Sequence, residues 1–124
     1  MSPVGRKQGH AMARIVAWKR MPTNRLEMLK SMVSADPDNS FTRYGLAMEH
    51  VNSGNLDDAV NEFRELLARN PNYAAAYFHG GQTLEKLGRI EEARAIYQQG
   101  IEVTGKTGDR HTQSELEGVL EMLG

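Results

Sequence analysis

Residues 54–71 read GNLDDAVNEFRELLARNP, and the pattern of this stretch returns 34 positions later. The matching pairs are Gly54 and Gly88, Leu56 and Ile90, Ala59 and Ala93, Phe63 and Tyr97, and Leu67 and Ile101. Pro37 and Pro71 have the same spacing of 34 residues. A fixed period of this length is typical of proteins that stack helix–turn–helix units, so the sequence predicts an array of helical hairpins.

The first complete unit, residues 40–73, contains the signals for two helices and a tight turn. The buried face of its first helix, residues 40–53, is predicted to hold Arg43, Leu46, Ala47 and His50, which follow the spacing i, i+3, i+4, i+7. Gly54 supplies the left-handed residue that ends this helix. We expect Asn55 to cap the second helix, because acidic residues follow it and favour the positive end of the helix dipole.

Further helices are predicted on both sides of the two complete units. Residues 23–35 read as a helix that Thr23 or Asn24 can cap, and residues 36–40 turn the chain and cap the next helix. Residues 104–110 contain Gly105 and Gly108 and are predicted to be a linker. Residues 112–123 are expected to form the last helix, whose apolar stripe faces the stack.

The 34-residue period and the residues at its recurring positions resemble those of the tetratricopeptide repeat (TPR) family. The residues that carry the resemblance are Leu46, Ala47, Ala59, Phe63 and Pro71 in the first unit, and Tyr77, Gly81, Leu84, Ala93, Tyr97 and Gly100 in the second. Arg43, His50, Leu66, Gly80 and Gly105 depart from the family pattern. The resemblance implies an all-α fold, a right-handed superhelical stack of antiparallel helix hairpins. It divides the chain into a basic tail (1–22), a half-repeat helix (23–39), two repeats (40–73 and 74–107) and a capping helix (108–124).

The resemblance also implies a concave groove that binds a peptide or a helix of a partner protein. The groove-facing residues are found by rotating away from the buried stripe of the first helix in each unit. The candidates for the peptide groove are Phe41, Tyr44, Met48, Asn52, Phe78, His79, Gln82 and Lys86. Two interpretations of the aromatic residues remain open, because they either form an apolar binding surface or pack against neighbouring helices. A homodimer that uses the same surface is the alternative function.

Composition argues against several other classes of protein. The chain has no cysteine, so it holds neither disulfides nor thiolate metal sites. Its four histidines, His10, His50, His79 and His111, are scattered, and no nucleophile–base pair can be read from their spacing. We therefore predict no catalytic residue, cofactor or metal. The longest apolar runs are too short for a membrane span, and the repeats are acidic, so neither a membrane nor a nucleic-acid partner is expected. A cytoplasmic location is the simplest expectation.

Residues 1–20 differ in charge from the rest of the chain. They contain Arg6, Lys7, Arg14, Lys19 and Arg20 and no acid, whereas the whole chain has a net charge of −1. Three interpretations stay open: a disordered tail, a degenerate extra repeat helix, and a translation start at Met21. Residues 12–18 are also candidates to fill the groove, within one molecule or across a dimer.

Overall fold

The structure is a computed structural model that describes residues 21–124, and the predictions made for residues 1–20 lie outside this range. Six helices make up this part of the chain: α1 (Met21–Ala35), α2 (Ser40–Asn52), α3 (Leu56–Arg69), α4 (Ala74–Lys86), α5 (Ile90–Thr107) and α6 (Arg110–Leu123). Residues 21–124 contain no strand. Each helix packs against the next one along the chain, and α4 also contacts α6. The predicted all-α stack of helix hairpins is confirmed.

Two glycines make the turns inside the hairpins, as the period predicts. Gly54 joins α2 to α3 with φ of 80°, and Gly88 joins α4 to α5 with φ of 77°. Both values lie in the left-handed region, where a Cβ atom is strongly disfavoured. Asn39 caps α2, because its side-chain oxygen accepts a hydrogen bond of 3.1 Å from the backbone N–H of Thr42.

Small residues let α2 and α3 approach each other. Ala47 and Ala59 are fully buried in the cluster that also contains Phe63, Leu66 and Ala76. The predicted buried face of α2 is confirmed, and its charged member is paired there. The guanidinium of Arg43 donates a hydrogen bond of 2.8 Å to the carboxylate of Glu62 on α3. The hairpin therefore combines an apolar contact with one ion pair that is largely removed from water.

The second hairpin is tightened by glycine. Gly81 on α4 lies directly against the ring of Tyr97 on α5, and Tyr97 is fully buried. The hydroxyl of Tyr97 donates a hydrogen bond to the carboxylate of Glu85, which holds the ring in place. Burial of the ring is the main effect that raises the pKa of Tyr97 above its usual value, and this hydrogen bond is the second. A glycine in mid-helix thus creates the space that the aromatic side chain fills.

The predicted linker at residues 104–110 is wrong. Helix α5 continues through Gly105 to Thr107, and the buried hydroxyl of Thr104 donates to the carbonyl of Gly100 at 2.8 Å. The helix ends at Gly108, which has φ of 81°. Asp109 then caps α6 by accepting from the N–H of Thr112 at 3.1 Å, so α6 begins two residues earlier than predicted.

Two predicted caps are also wrong. Helix α1 begins at Met21, so Thr23 and Asn24 lie inside it instead of before it. Asn55 precedes α3, but its side chain makes no capping hydrogen bond. The backbone N–H of Asn55 donates instead to the carbonyl of His50 at 2.8 Å, which fixes this turn through the main chain.

Candidate functional site

The first helices of successive hairpins, α2, α4 and α6, contribute neighbouring side chains to one side of the stack. The rings of Tyr44 on α2 and His79 on α4 have centroids 5.9 Å apart. The negative charge of Glu115 on α6 in turn acts to raise the pKa of His79. We call the side that these helices share the α2–α4–α6 face. It is the side on which the sequence places the candidate groove.

An aromatic group occupies the middle of this face. Its members are Tyr44, Tyr73, Phe78 and His79, and we call them the ring cluster. Tyr44 lies 5.4 Å from Tyr73 between ring centroids, and Phe78 meets His79 edge-on at 5.2 Å. Tyr44 also contacts Phe63 in the core at 6.3 Å, which anchors the cluster to the hairpin. Tilted and edge-on contacts of this kind add to the free energy of burial.

Burial changes the ionisation of the cluster. Burial lowers the pKa of His79, while the negative charge of Glu115 opposes this shift and the positive charge of Lys86 adds to it. Burial, helped by the charge of Tyr73, raises the pKa of the Tyr44 hydroxyl. At neutral pH these shifts keep His79 and Tyr44 uncharged, so the cluster presents an uncharged aromatic surface.

The predicted groove residues differ in their exposure to solvent and in their neighbours. Tyr44, Met48, Phe78, His79 and Gln82 are half-buried, whereas Phe41, Asn52 and Lys86 are exposed. Tyr44, Phe78 and His79 are brought together in the ring cluster, and Gln82 and Lys86 line one shallow depression with Glu85. Phe41 joins neither group and is 76% exposed.

Two residues on this face were missed by the sequence analysis. Tyr73 lies in the turn before α4, and its counterpart one period earlier is Asn39, so the repeat gives no sign of an aromatic there. Glu115 lies on α6, which starts 36 residues after α4, at residue 110 compared with 74. The two complete units are 34 residues apart, so extrapolating the period places α6 two residues out of register.

A second depression is lined by residues of α3, α4 and α5. Its lining includes Arg64, Tyr77 and Gln99. The guanidinium of Arg64 already donates to Glu92 at 2.9 Å, and the hydroxyl of Tyr77 donates to the carbonyl of Pro71 at 2.7 Å. Since the polar groups of Arg64 and Tyr77 already have partners, the α2–α4–α6 face is the stronger candidate for a binding site.

Comparison with known proteins places this architecture in a family. The family model for the tetratricopeptide repeat matches residues 44–105, which is half of the chain. The chain therefore belongs to the tetratricopeptide repeat family.

Three known proteins show how far the similarity extends. A TPR repeat-containing protein of Pseudomonas aeruginosa is 24% identical over 98 residues, which cover 79% of this chain and 93% of that protein. A tetratricopeptide repeat domain protein from Salinibacter ruber, solved by NMR, is 39% identical with a TM-score of 0.67, covering 71% of this chain and 89% of the other. The TPR2B domain of yeast Sti1, solved in a complex with pHsp70, matches the fold at 11% identity with a TM-score of 0.75, covering 85% and 84%. None of the helices in residues 21–124 combines the length and the apolar character that crossing a membrane requires.

Proposed function

We propose that this protein is a non-catalytic protein-interaction module that binds an apolar peptide or helix of a partner protein on its α2–α4–α6 face. The observation that carries the proposal is the exposed ring of Phe41, which lies three residues before Tyr44 on α2, together with the half-buried ring cluster. Scattered apolar residues are ordinary on protein surfaces, but aromatic groups on a shared face are typical of interfaces. The Sti1 domain has the same fold as this chain and was solved in a complex with pHsp70, which supports the proposal.

The chemistry of the face suggests the kind of partner. The centre of the face is aromatic and uncharged, and the exposed Lys86 is close enough for its positive charge to act on His79. The best ligand is therefore a short segment with two or three large apolar side chains that contact the ring cluster and Phe41. A cytoplasmic location belongs to the same proposal.

The expected affinity is modest. Burying three or four such side chains contributes roughly 1.5–3 kcal/mol each. Association costs about 4–15 kcal/mol in lost motion and ordering. At the favourable end of both ranges the balance is about 8 kcal/mol, so a dissociation constant on the order of micromolar is the tightest binding expected of this face.

A peptide selection tests the proposal because it needs no named partner. A random peptide library is selected on the full chain, and the affinity of the best peptide is measured by calorimetry. Phe41→Ser should weaken binding about tenfold or more, because it removes one exposed apolar anchor. Ile90→Ser is the matched control, since Ile90 is also an exposed apolar residue but begins α5, outside the face.

Three outcomes would overturn the proposal. One is failure of the full chain to select any peptide family. Another is equal weakening by Phe41→Ser and Ile90→Ser. The third is a concentration-dependent mass in light scattering that Phe41→Ser abolishes, because the face is then the interface of a homodimer.

A further inference from the structure

Helix α6 differs from the preceding helices in how its glutamates are paired. In residues 21–109, the glutamates that form an ion pair with a lysine or an arginine are Glu27, Glu49, Glu62, Glu65, Glu91, Glu92 and Glu102. The remaining one, Glu85, accepts a hydrogen bond from the hydroxyl of Tyr97. Within residues 21–124, Glu115, Glu117 and Glu121 of α6 pair with no lysine or arginine. These three carboxylates are therefore not neutralised by a strong base of the described part of the chain.

Glu115 is the member of this group that faces α4. Its negative charge acts on His79 where α4 contacts α6. Glu117 and Glu121 follow it by two and six residues, which turns them about 200° and 240° around the helix from Glu115. Glu115 is thus the carboxylate of α6 that belongs to the α2–α4–α6 face.

The surroundings of Glu115 leave its carboxylate accessible. The side chain is 48% exposed, and one of its oxygens lies 3.5 Å from Nε2 of His111, one turn earlier on α6. One turn later stands Gly118, which has no side chain to cover the acid. A side chain of a bound segment therefore reaches the carboxylate without displacing a residue of α6.

The other two helices of the face have no comparable net charge. On α2, Arg43 and Glu49 are buried, and each already has an ion pair. Helix α4 contains one acid and one base, Glu85 and Lys86. Helix α6, by contrast, has three glutamates and a single arginine. The face therefore changes from uncharged at α2 to negative at α6.

Lys86 is the positive charge that opposes this gradient. Of the two charges that act on His79, Glu115 has the larger effect and Lys86 the smaller. Lys86 is the last residue of α4 and lies about two turns beyond His79. Near the ring of His79 the influence of Glu115 prevails over that of Lys86, so a cation between the ring cluster and α6 is attracted.

We infer that the segment bound by the α2–α4–α6 face carries a lysine or an arginine beside its apolar anchors, and that this basic side chain pairs with Glu115. Its apolar stem lies along the ring cluster while its charge reaches α6. This arrangement gives the ligand a direction, with its apolar end over α2 and its basic end over α6. The inference rests on the proposed function, because it concerns the ligand of the same face.

Parallel peptide selections test the inference. A random peptide library is selected on the full chain and on its Glu115→Lys and Glu117→Lys variants, at about pH 8 so that His79 is uncharged. The wild-type chain and Glu117→Lys should enrich lysine or arginine beside large apolar residues, whereas Glu115→Lys should enrich aspartate or glutamate there. Glu117→Lys is the matched control, because it changes the net charge equally at an exposed position on another side of α6.

Affinities and their dependence on salt give a second readout. The best wild-type peptide should bind Glu115→Gln about threefold more weakly, which is typical of an exposed ion pair. It should bind Glu115→Lys about tenfold more weakly, because like charges then meet. Raising the salt concentration from about 20 mM to about 500 mM should weaken binding to the wild-type chain much more than binding to Glu115→Gln. Replacing the basic residue of the peptide by glutamate should restore binding to Glu115→Lys.

The failures of the inference and of the proposed function give different results. If the wild-type chain and both variants select apolar peptides of the same charge, the inference is wrong and the proposed function stands. Equal weakening of binding by Glu115→Lys and Glu117→Lys has the same meaning. If the wild-type chain selects no peptide family, the proposed function is wrong and the inference fails with it.

Discussion

Replacing Gly81 by alanine tests how closely α4 and α5 are packed. A Cβ atom at this position would lie 2.1 Å from Cε1 of Tyr97 and 2.6 Å from both Cδ1 and Cζ. Ordinary contacts between carbon atoms are about 3.5–4.0 Å. The ring of Tyr97 is fully buried and its hydroxyl donates a hydrogen bond to Glu85, so a shift of the ring would disturb the core and this hydrogen bond.

Opposing effects set the size of the change in the free energy of unfolding that Gly81→Ala causes. Alanine is favoured over glycine in a helix interior by about 1 kcal/mol. Overpacking a buried site costs about 1–3 kcal/mol, and displacing the Tyr97 hydroxyl from Glu85 adds about 1.5–3 kcal/mol. We therefore expect Gly81→Ala to lower the free energy of unfolding by about 3 kcal/mol and the melting temperature by about 15 °C.

Gly118→Ala is the matched control. Gly118 lies inside α6 and is exposed, and apart from its chain neighbours and the backbone of its own helix, no heavy atom of residues 21–124 lies within 4 Å of the added methyl group. This variant should gain about 1 kcal/mol, which raises the melting temperature by about 5 °C. Thermal melts followed by circular dichroism compare the two variants. If Gly81→Ala is as stable as Gly118→Ala, the close packing of Gly81 and Tyr97 is refuted.

Three further predictions concern the turn, the ion pair and the ring cluster. Gly54→Ala should lower the free energy of unfolding, measured by urea denaturation, by about 1–2 kcal/mol, because only the backbone φ of 80° opposes the substitution. An unchanged urea midpoint would contradict that cause. Arg43→Ala should lower the free energy of unfolding by about 3 kcal/mol, because it leaves Glu62 without its partner. The double change Arg43→Met with Glu62→Leu should lower it much less, and equal losses would be inconsistent with a coupled pair. The lowered pKa of His79 means that the folded chain binds fewer protons than the unfolded chain at acidic pH, despite the attraction of Glu115. Stability should therefore fall as the pH drops through about 6.5, and melts between pH 5 and 8 should show a smaller fall for His79→Gln; an identical fall would rule out His79 as the cause.

The period of the sequence was sufficient to predict the central hairpins. Gly54 and Gly88 are the only residues at their turns that adopt a positive φ without strain, and their spacing equals the repeat length. The buried stripe of α2 followed from helical periodicity alone, even though it contains Arg43 and His50. Repetition is informative here because each unit needs the same small and large residues at each helix crossing.

The period fails where the chain departs from it. Gly105 suggests a linker because glycine disfavours helices. The residue that ends α5 is instead Gly108, and the helix continues past Gly105 to Thr107. Asp109 and Thr112 provide a local sign of this boundary, since they have the spacing of a cap. The position of α6 follows from this longer helix and not from the repeat.

The candidate site was predictable only in part. Rotation of the helix placed Tyr44 and Phe78 on one face, the resemblance added His79, and the structure brings the rings of Tyr44 and Phe78 against that of His79. Tyr73 escaped notice because it lies in a turn, where helical rotation gives no direction. Whether an aromatic residue packs inward depends on neighbours that are distant in sequence, and Tyr44 is half-buried with its ring against those of Phe63 and Tyr73.

Chemical-shift mapping with a selected peptide tests the central claim most directly. The full chain is labelled with ¹⁵N and ¹³C, and the peptide is added to saturation. The proposed function predicts that the largest shifts fall on Phe41, Tyr44, Phe78 and His79, with little change along α3 and α5. Shifts concentrated on the side of Arg64 and Gln99, with the ring cluster unchanged, would contradict it.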